Sequence, residues 1–321
     1  MSVERELHAL GSGLGAMRWV QGPGGNVSIK DTDTLFVKAS GVRLCTVREH
    51  HAAVPLPLAR RALAGDAAAD ALVFGLSPRP SLETYFHVLG PRVVAHTHAL
   101  GALLLACATA PFGGLEVPTI AYERPGRGIA LAVERTFGEE PPRGLVLLAS
   151  HGLIAFADTV DEAIEATQTF DEQVRRAIGG TLPDIDALLG ESLAIGEVAP
   201  LAGGFSRRIA PRQHDGRALF PDAVVYAGHL RTSDIGAATA ERALREVARP
   251  VVLVSDEGHR LVVARRREQL DYAVEVAVAH DWLDDALSAR GLAHYLPDDE
   301  PARILDLPAE KYRLSHSFKE R

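Results

Sequence analysis

Residues 144–157 read GLVLLASHGLIAFA, two apolar runs separated by a short break at His151-Gly152. Apolar runs of roughly 4–8 residues suit buried strands, and a break this short makes them a strand–turn–strand. The next stretch has helical spacing from Thr159 to about Ile178. Asp158 stands where a helix cap is expected, and Asp161 and Glu162 fall in the first turn, where the helix dipole favours acids. A strand–turn–strand–helix block of this kind points to an α/β fold. The pattern returns 106 residues later, where VVLVSDEG (251–258) matches LVLLASHG (145–152). An apolar strand, LVVA (261–264), and a helical stretch from about Arg267 to Leu287 follow it. Glu257 falls where His151 sits. Either the C-terminal segment is a degenerate partial copy of the first, or two such units converged.

Other elements extend the pattern. Residues 3–20 read as an amphipathic helix. VSIK (27–30) and LFVKAS (35–40) alternate like a hairpin, and 52–72 is alanine-rich and helical or irregular. Ser81, after the loop SPRPS, is a candidate cap for a helix through about Leu89. RVVAHTH (92–98) reads as a strand, followed by a helix-like ALGALLLACAT. VVY (224–226) reads as a further strand. With 321 residues, about two domains are expected. The division suggested is a first domain at 1–180, a Gly- and Pro-rich linker at 181–215 and a smaller α/β domain at 216–321.

A net charge of −8 argues against a nucleic-acid partner, which usually meets a basic stripe. The charged start MSVERELHAL lacks the apolar core of a signal peptide, and no apolar stretch is long enough to span a bilayer. Two cysteines, Cys45 and Cys107, make no disulfide framework. A cytoplasmic protein with no membrane partner is the expectation.

His96 and His98 lie two apart in the strand at 92–98, so both side chains leave the same face. That geometry suits two nitrogen ligands on one metal, and it also fits two polar residues on a solvent-facing edge. Their neighbours Val93, Val94 and Ala95 make the strand look buried, where unpaired imidazoles are costly. This favours a metal such as zinc or another divalent transition metal. His151, before a glycine that permits a tight turn, is a candidate third ligand. Glu83 reads either as a helix-start acid or as a general base and displaceable metal ligand. His87, one turn on from it, reads as structural. Gly24-Gly25-Asn26 and Ser40-Gly41 are turn elements able to cradle an anion. No phosphate-loop or dinucleotide motif is present.

In this order, GPGGNVSIK (22–30), FVKASG (36–41), RPSLETYFHVL (79–89), RVVAHTHAL (92–100), PTIAYERPG (118–126) and LLASHGLIAFADTVDEAIEAT (147–167) resemble the class II aldolase/adducin family. The likeness covers roughly residues 5–178. It implies a three-layer fold with a central, mostly antiparallel sheet, four-fold tetramers and sites between subunits.

The resemblance places His96, His98 and His151 on the zinc-binding histidines. Glu83 matches the acid that ligates zinc at rest and acts as base. Asn26, Ser40, Gly41 and Ser81 match an anion pocket, and Tyr122 resembles a proton-donating tyrosine that reaches a neighbouring site. The implied reaction is cleavage of a C–C bond in a small sugar phosphate or sugar acid through a zinc-stabilised enediolate. Epimerisation, decarboxylation or dehydration would use the same ligands, and a non-catalytic adducin-like interaction protein would lack the metal. The family pocket often has two successive serines before the acid. Here the second is Leu82, which removes one anion donor and opens the pocket to an acid or an unphosphorylated sugar derivative.

Overall fold

The computed structural model describes residues 2–138, 141, 143–179, 184–213 and 215–315. The chain divides into two compact units, one holding residues 1–106 and 110–179, the other built mainly from residues 180–314.

The first unit is an α/β structure on a seven-stranded sheet. Its strands are β1 (Asn26–Asp31), β2 (Thr34–Lys38), β3 (His51–Pro55), β4 (Val93–Thr97), β5 (Thr119–Ile120), β6 (Gly144–Leu148) and β7 (Gly152–Ala157). They lie in the order β3-β2-β1-β4-β7-β6-β5, antiparallel throughout except for the parallel pair β5–β6. The central strands β4 and β7 are buried along their whole length. This explains why they read as continuous apolar runs without alternation.

Strand periodicity sorts the residues onto two faces. Leu35, Val37, Val94, Val146, Ile154 and Phe156 form one core with side chains from the helices Leu56–Leu63, Ala67–Phe74, Thr84–His87 and Arg127–Phe137. Helices Val3–Leu14 and Leu100–Ala106 each pack against Val160–Ala177, and helix Val160–Ala177 covers β4 and β7 on the opposite face. A sheet between two helical layers is the result. His96 follows Val94 on the same strand face, so it points into the first of these layers.

Local chemistry explains where sequence expectations and structure part. The first helix stops at Leu14, before Gly15, where a Cβ would strike the backbone at Cys45. Ser81 does not cap a long helix. The helix there is the single turn Thr84–His87, with Glu83 at its N-cap position and Ser81 Oγ accepting from the Glu83 N–H. Thr159, and not Asp158, caps Val160–Ala177. Its Oγ1 accepts from the Glu162 N–H at 3.3 Å, and Glu162 Oε2 accepts from the Thr159 N–H at 3.1 Å. The reciprocal pair needs a glutamate three residues after the cap, which only Thr159 has.

The second unit carries a five-stranded sheet of β8 (Ala199–Leu201), β9 (Gly204–Ile209), β10 (His229–Thr232), β11 (Val251–Ser255) and β12 (Arg260–Ala264), ordered β10-β11-β12-β9-β8. The stretch suggested as a linker therefore contains a helix, Ile185–Ala194, and two strands of this sheet. Residues 181–183 and 214 of that stretch lie outside the described residues. VVY (224–226) is helical, not a strand, because Pro221 opens the helix Pro221–Tyr226 with its φ already set.

The strand–turn–strand–helix likeness extends to topology. Taken in chain order, β8 to β12 occupy the same places in their sheet as β1, β4, β5, β6 and β7 in theirs. In both sheets the third and fourth of these strands form the sole parallel pair.

Candidate metal centre

The site forms where the end of β4, the β6–β7 turn and the single turn Thr84–His87 meet. His96 lies within β4, and His98 follows its end. Both are buried, as is His151 in the turn. Their ligand nitrogens all lie within 4.8 Å of one another. The Nε2 atoms of His96 and His98 face each other at 3.2 Å. His96 Nδ1 donates to the Leu153 carbonyl at 3.0 Å, which leaves its Nε2 lone pair aimed into the cluster.

Backbone geometry in the turn makes this approach possible. Ser150 has φ +50°, a left-handed conformation uncommon for a side-chain-bearing residue. Gly152 has φ +153°, and a Cβ there would press on the Thr97 carbonyl and come within 3.2 Å of His96 Cε1 and His98 Cδ2. Glycine is required because the turn must pass against both imidazoles.

Glu83 completes the group. Its Oε1 is 3.1 Å from His151 Nε2, and its Oε2 is 3.5 Å from His96 Nε2. Asn26, which opens β1, donates its Nδ2–H to Glu83 Oε2 at 2.7 Å. Asn26 Oδ1 accepts in turn from His87 Nε2, and His87 Nδ1 accepts from Ser28 Oγ at 2.7 Å. Burial would raise the carboxyl's pKa. The neighbouring His96 and His151 and the Asn26 and His151 hydrogen bonds outweigh it and hold Glu83 well below the usual carboxylate range. Burial pushes His96 down to about 3 and His87 well below the usual imidazole value.

The donor set fits a metal. Buried imidazoles with converging lone pairs cannot hydrogen-bond one another well when neutral, and His151 Nδ1 has no hydrogen-bond partner among the described residues. Three imidazole nitrogens and one carboxylate are a set that zinc and similar divalent ions accept.

The remaining expected site residues lie as follows. Ser40, Gly41 and Ser81 are buried on two segments bridged at Ala39 and Pro80. Ser40 N–H donates to the Arg79 carbonyl and Ser81 N–H to the Lys38 carbonyl. Asn26 has its amide engaged by Glu83 and His87. Tyr122 sits half-buried in the loop after β5. The histidine–carboxylate group thus gathers His96, His98, His151, Glu83 and Asn26. Lys38 has a setting its sequence context did not suggest. Buried, it donates to the carbonyls of Pro23 at 2.9 Å and Val42 at 2.7 Å, tying together the two glycine turns. His87 and Ser28, which orient Asn26, were also not assigned to the site from sequence. The available signal was the spacing of Ser28 and Asn26, which share a strand face, and of His87 and Glu83, one turn apart.

A family model described as Class II Aldolase and Adducin N-terminal domain matches residues 5–178. The Bacillus subtilis (strain 168) protein named "Uncharacterized oxidoreductase YuxG" is 25% identical over 181 residues, 48% of this chain and 26% of that protein. The chain therefore spans about a quarter of that relative's length. Among solved structures, the N-terminal class II aldolase domain of a conserved protein from Thermoplasma acidophilum aligns with 26% identity and TM-score 0.46. That alignment covers 54% of this chain and 91% of the other. The l-fuculose-1-phosphate aldolase from Thermus thermophilus aligns with 21% identity and TM-score 0.40, over 54% of this chain and 91% of its own.

Proposed function

Because the chain belongs to the class II aldolase and adducin N-terminal domain family, we propose that His96, His98, His151 and Glu83 form a working metal centre in a lyase. The reaction is reversible cleavage of a C–C bond in a small sugar phosphate or sugar acid. The observation that carries this reading is the Glu83 carboxylate held 3.1 Å from His151 Nε2 against a buried histidine triad. An adducin-like interaction protein has no need of such a group.

His96, His98 and His151 would hold the ion, zinc by preference, with Glu83 beside it as a displaceable fourth ligand. When bound, the metal supplies a Lewis acid for the charge of the enediolate. The chain's residues do the rest. In the bond-forming direction Glu83 takes the proton from the donor carbon, and that carbon's electron pair forms the new bond to the aldehyde carbon. The aldehyde oxygen takes a proton from Tyr122. Cleavage runs the same steps backward. Asn26 fixes the Glu83 carboxylate, and the turn around Ser40, Gly41 and Ser81 receives the substrate's anionic group. Leu82, half-buried with Cδ1 facing Gly126, takes the place of a second hydroxyl there and favours a sugar acid. Among the described residues no helix is long and apolar enough to cross a membrane. The proposal includes a cytoplasmic homotetramer, checked by light scattering.

Elemental analysis with a His96→Ala control is the first test. About one transition metal per chain, lost in the control, is expected. Metal content near zero after supplementation overturns the reading in favour of an interaction protein. Turnover is then screened on sugar phosphates and sugar acids. Products of epimerisation, decarboxylation or dehydration without C–C cleavage would overturn the reaction assigned but not the metal centre. Glu83→Gln is expected to keep its metal and lose turnover by about 10²–10⁴-fold. Wild-type turnover in that variant would remove Glu83 from the role of base.

A further inference from the structure

The second unit repeats the strand order of the first, yet it does not repeat the histidine cluster. Gly258 corresponds to Gly152 in the matching turns. His96 pairs with Ile154, two residues past Gly152, and Ile209 pairs with Arg260, two residues past Gly258. The positions of His96, His98 and His151 are thus taken by Ile209, Pro211 and Glu257. None of these offers an imidazole. If this unit binds a ligand, it does so elsewhere and by other chemistry.

A cavity of about 180 Å³ lies within this unit, at the start of β10 and β11. Ala223, Val224 and Ala227 form an apolar wall, and His229, His280, Arg249 and Arg217 supply the polar groups, Arg217 being already ion-paired with Asp215. Among the described residues no carboxylate lines it. Arg249 is half-buried, and its one hydrogen bond among the described residues is a 3.2 Å contact from Nη1 to the adjacent Pro250 carbonyl. It has no carboxylate within ion-pair distance among the described residues. The contrast with its neighbours is sharp. In the same unit Arg212 meets Asp281, Asp284 and Asp285, Arg260 meets Asp281, and Arg313 meets Asp222 and Glu310. Room for the guanidinium comes from Gly228, where a Cβ would fall on its nitrogens. Burial lowers the Arg249 pKa with no acid to oppose it. A guanidinium stays charged even so, and a desolvated charge without a counter-ion is costly.

We propose that this cavity is a binding site for a short-chain carboxylate, with Arg249 as its charge partner and the Ala223–Val224–Ala227 wall against its apolar body. The planar fork of the guanidinium matches a carboxylate bidentately. The volume is below the roughly 300–1,000 Å³ of drug-sized sites, so the occupant has few heavy atoms and is not a nucleotide. The site is separate from the metal centre and does not rest on the lyase reading.

The test is calorimetric titration of the full chain with propionate, alongside inorganic phosphate and chloride. Wild type and His96→Ala are expected to bind propionate saturably and alike. Arg249→Gln and Gly228→Ala are expected to bind at least about tenfold more weakly, the loss of one charge-assisted bond. Without ligand, Arg249→Gln is expected to unfold at the wild-type temperature or above it, because it removes a charge without a partner. A lower unfolding temperature with unchanged propionate affinity would show a purely structural arginine and overturn the proposal. So would absence of saturation, equal affinity in Arg249→Gln, loss of binding in His96→Ala, or chloride or phosphate binding as tightly as propionate. Should Arg249→Gln fail to fold, Arg249→Lys keeps the charge and loses the fork. It is expected to bind propionate more weakly than wild type, and equal affinity would overturn the assignment.

Discussion

Asn26 donates to Glu83 Oε2 across 2.7 Å, and what fixes the orientation of that amide is His87 on its other side. An ionised carboxylate only accepts, so the Asn26 amide must present Nδ2 to Glu83 and Oδ1 to His87. His87 is therefore protonated on Nε2, and its Nδ1 accepts from Ser28. A buried, neutral imidazole thereby sets the orientation of an acid it does not touch. His87→Phe is expected to lower turnover by about 10–100-fold at near-wild-type metal content, as is usual when an outer partner of a metal site is lost. His87→Gln keeps an N–H donor and should recover part of the loss. Full activity in His87→Phe would show that Asn26 needs no such support.

Gly152→Ala puts a methyl group against the Thr97 carbonyl and both β4 histidines at a φ of +153°. Loss of stoichiometric metal is expected, with destabilisation of about 1–3 kcal/mol from strain. Elemental analysis and thermal unfolding of the purified variant check both. Retention of one tightly held ion per chain would refute the argument from close approach.

Arg92 grips Glu6 through two bonds of 2.7 and 2.6 Å. The Arg92 hydrogen bond, against burial and helped by its charge, lowers the Glu6 pKa. The folded carboxyl releases its proton at lower pH than the unfolded one. Its stabilisation is therefore complete above the unfolded value of about 4.3 and is lost as pH falls through the folded value. Arg92 is 38% exposed, so solvent screening keeps the effect near 1 kcal/mol. Denaturant unfolding should show Glu6→Gln weaker than wild type by about that amount at pH 7. The two should converge in strong acid, and a gap that widens as pH falls would reverse the assignment.

Thr159→Ala removes one half of a reciprocal cap and is expected to cost about 1 kcal/mol. Asp158, which the sequence suggested as the cap, is instead exposed in an ion pair with Arg143. Asp158→Ala should cost less than Thr159→Ala when both are compared by denaturant unfolding. Equal or inverted costs would return the cap to Asp158.

Much of the first unit was legible in the chain because its signals are local. Apolar runs gave β4, β6 and β7, and the two-residue period put His96 and His98 on one side. The ordered motifs gave the family. Errors arose where a local signal had a competitor. VVY has strand propensity, but Pro221 opens a helix through it. Ser81 and Asp158 are good caps, but the helix after Ser81 is a single turn that starts beyond Glu83, and Thr159 makes the cap expected of Asp158. Gly- and Pro-rich 181–215 has the composition of a linker. Part of it nevertheless pairs with β12, and sheet pairing is a non-local choice that composition does not report.

By itself the sequence determined the side-chain types of the candidate site, their spacing along each strand and the family to which residues 5–178 belong. Tertiary structure decided which of those residues meet. It carried His151 from the far end of the unit to within reach of His96, and it set Asn26 between Glu83 and His87. It also left Arg249 beside a cavity without an acid. The physical reason is common to all three. A side chain's character is local, but its pKa, its tautomer and the need for a partner depend on desolvation and on neighbours that only the folded sheet supplies.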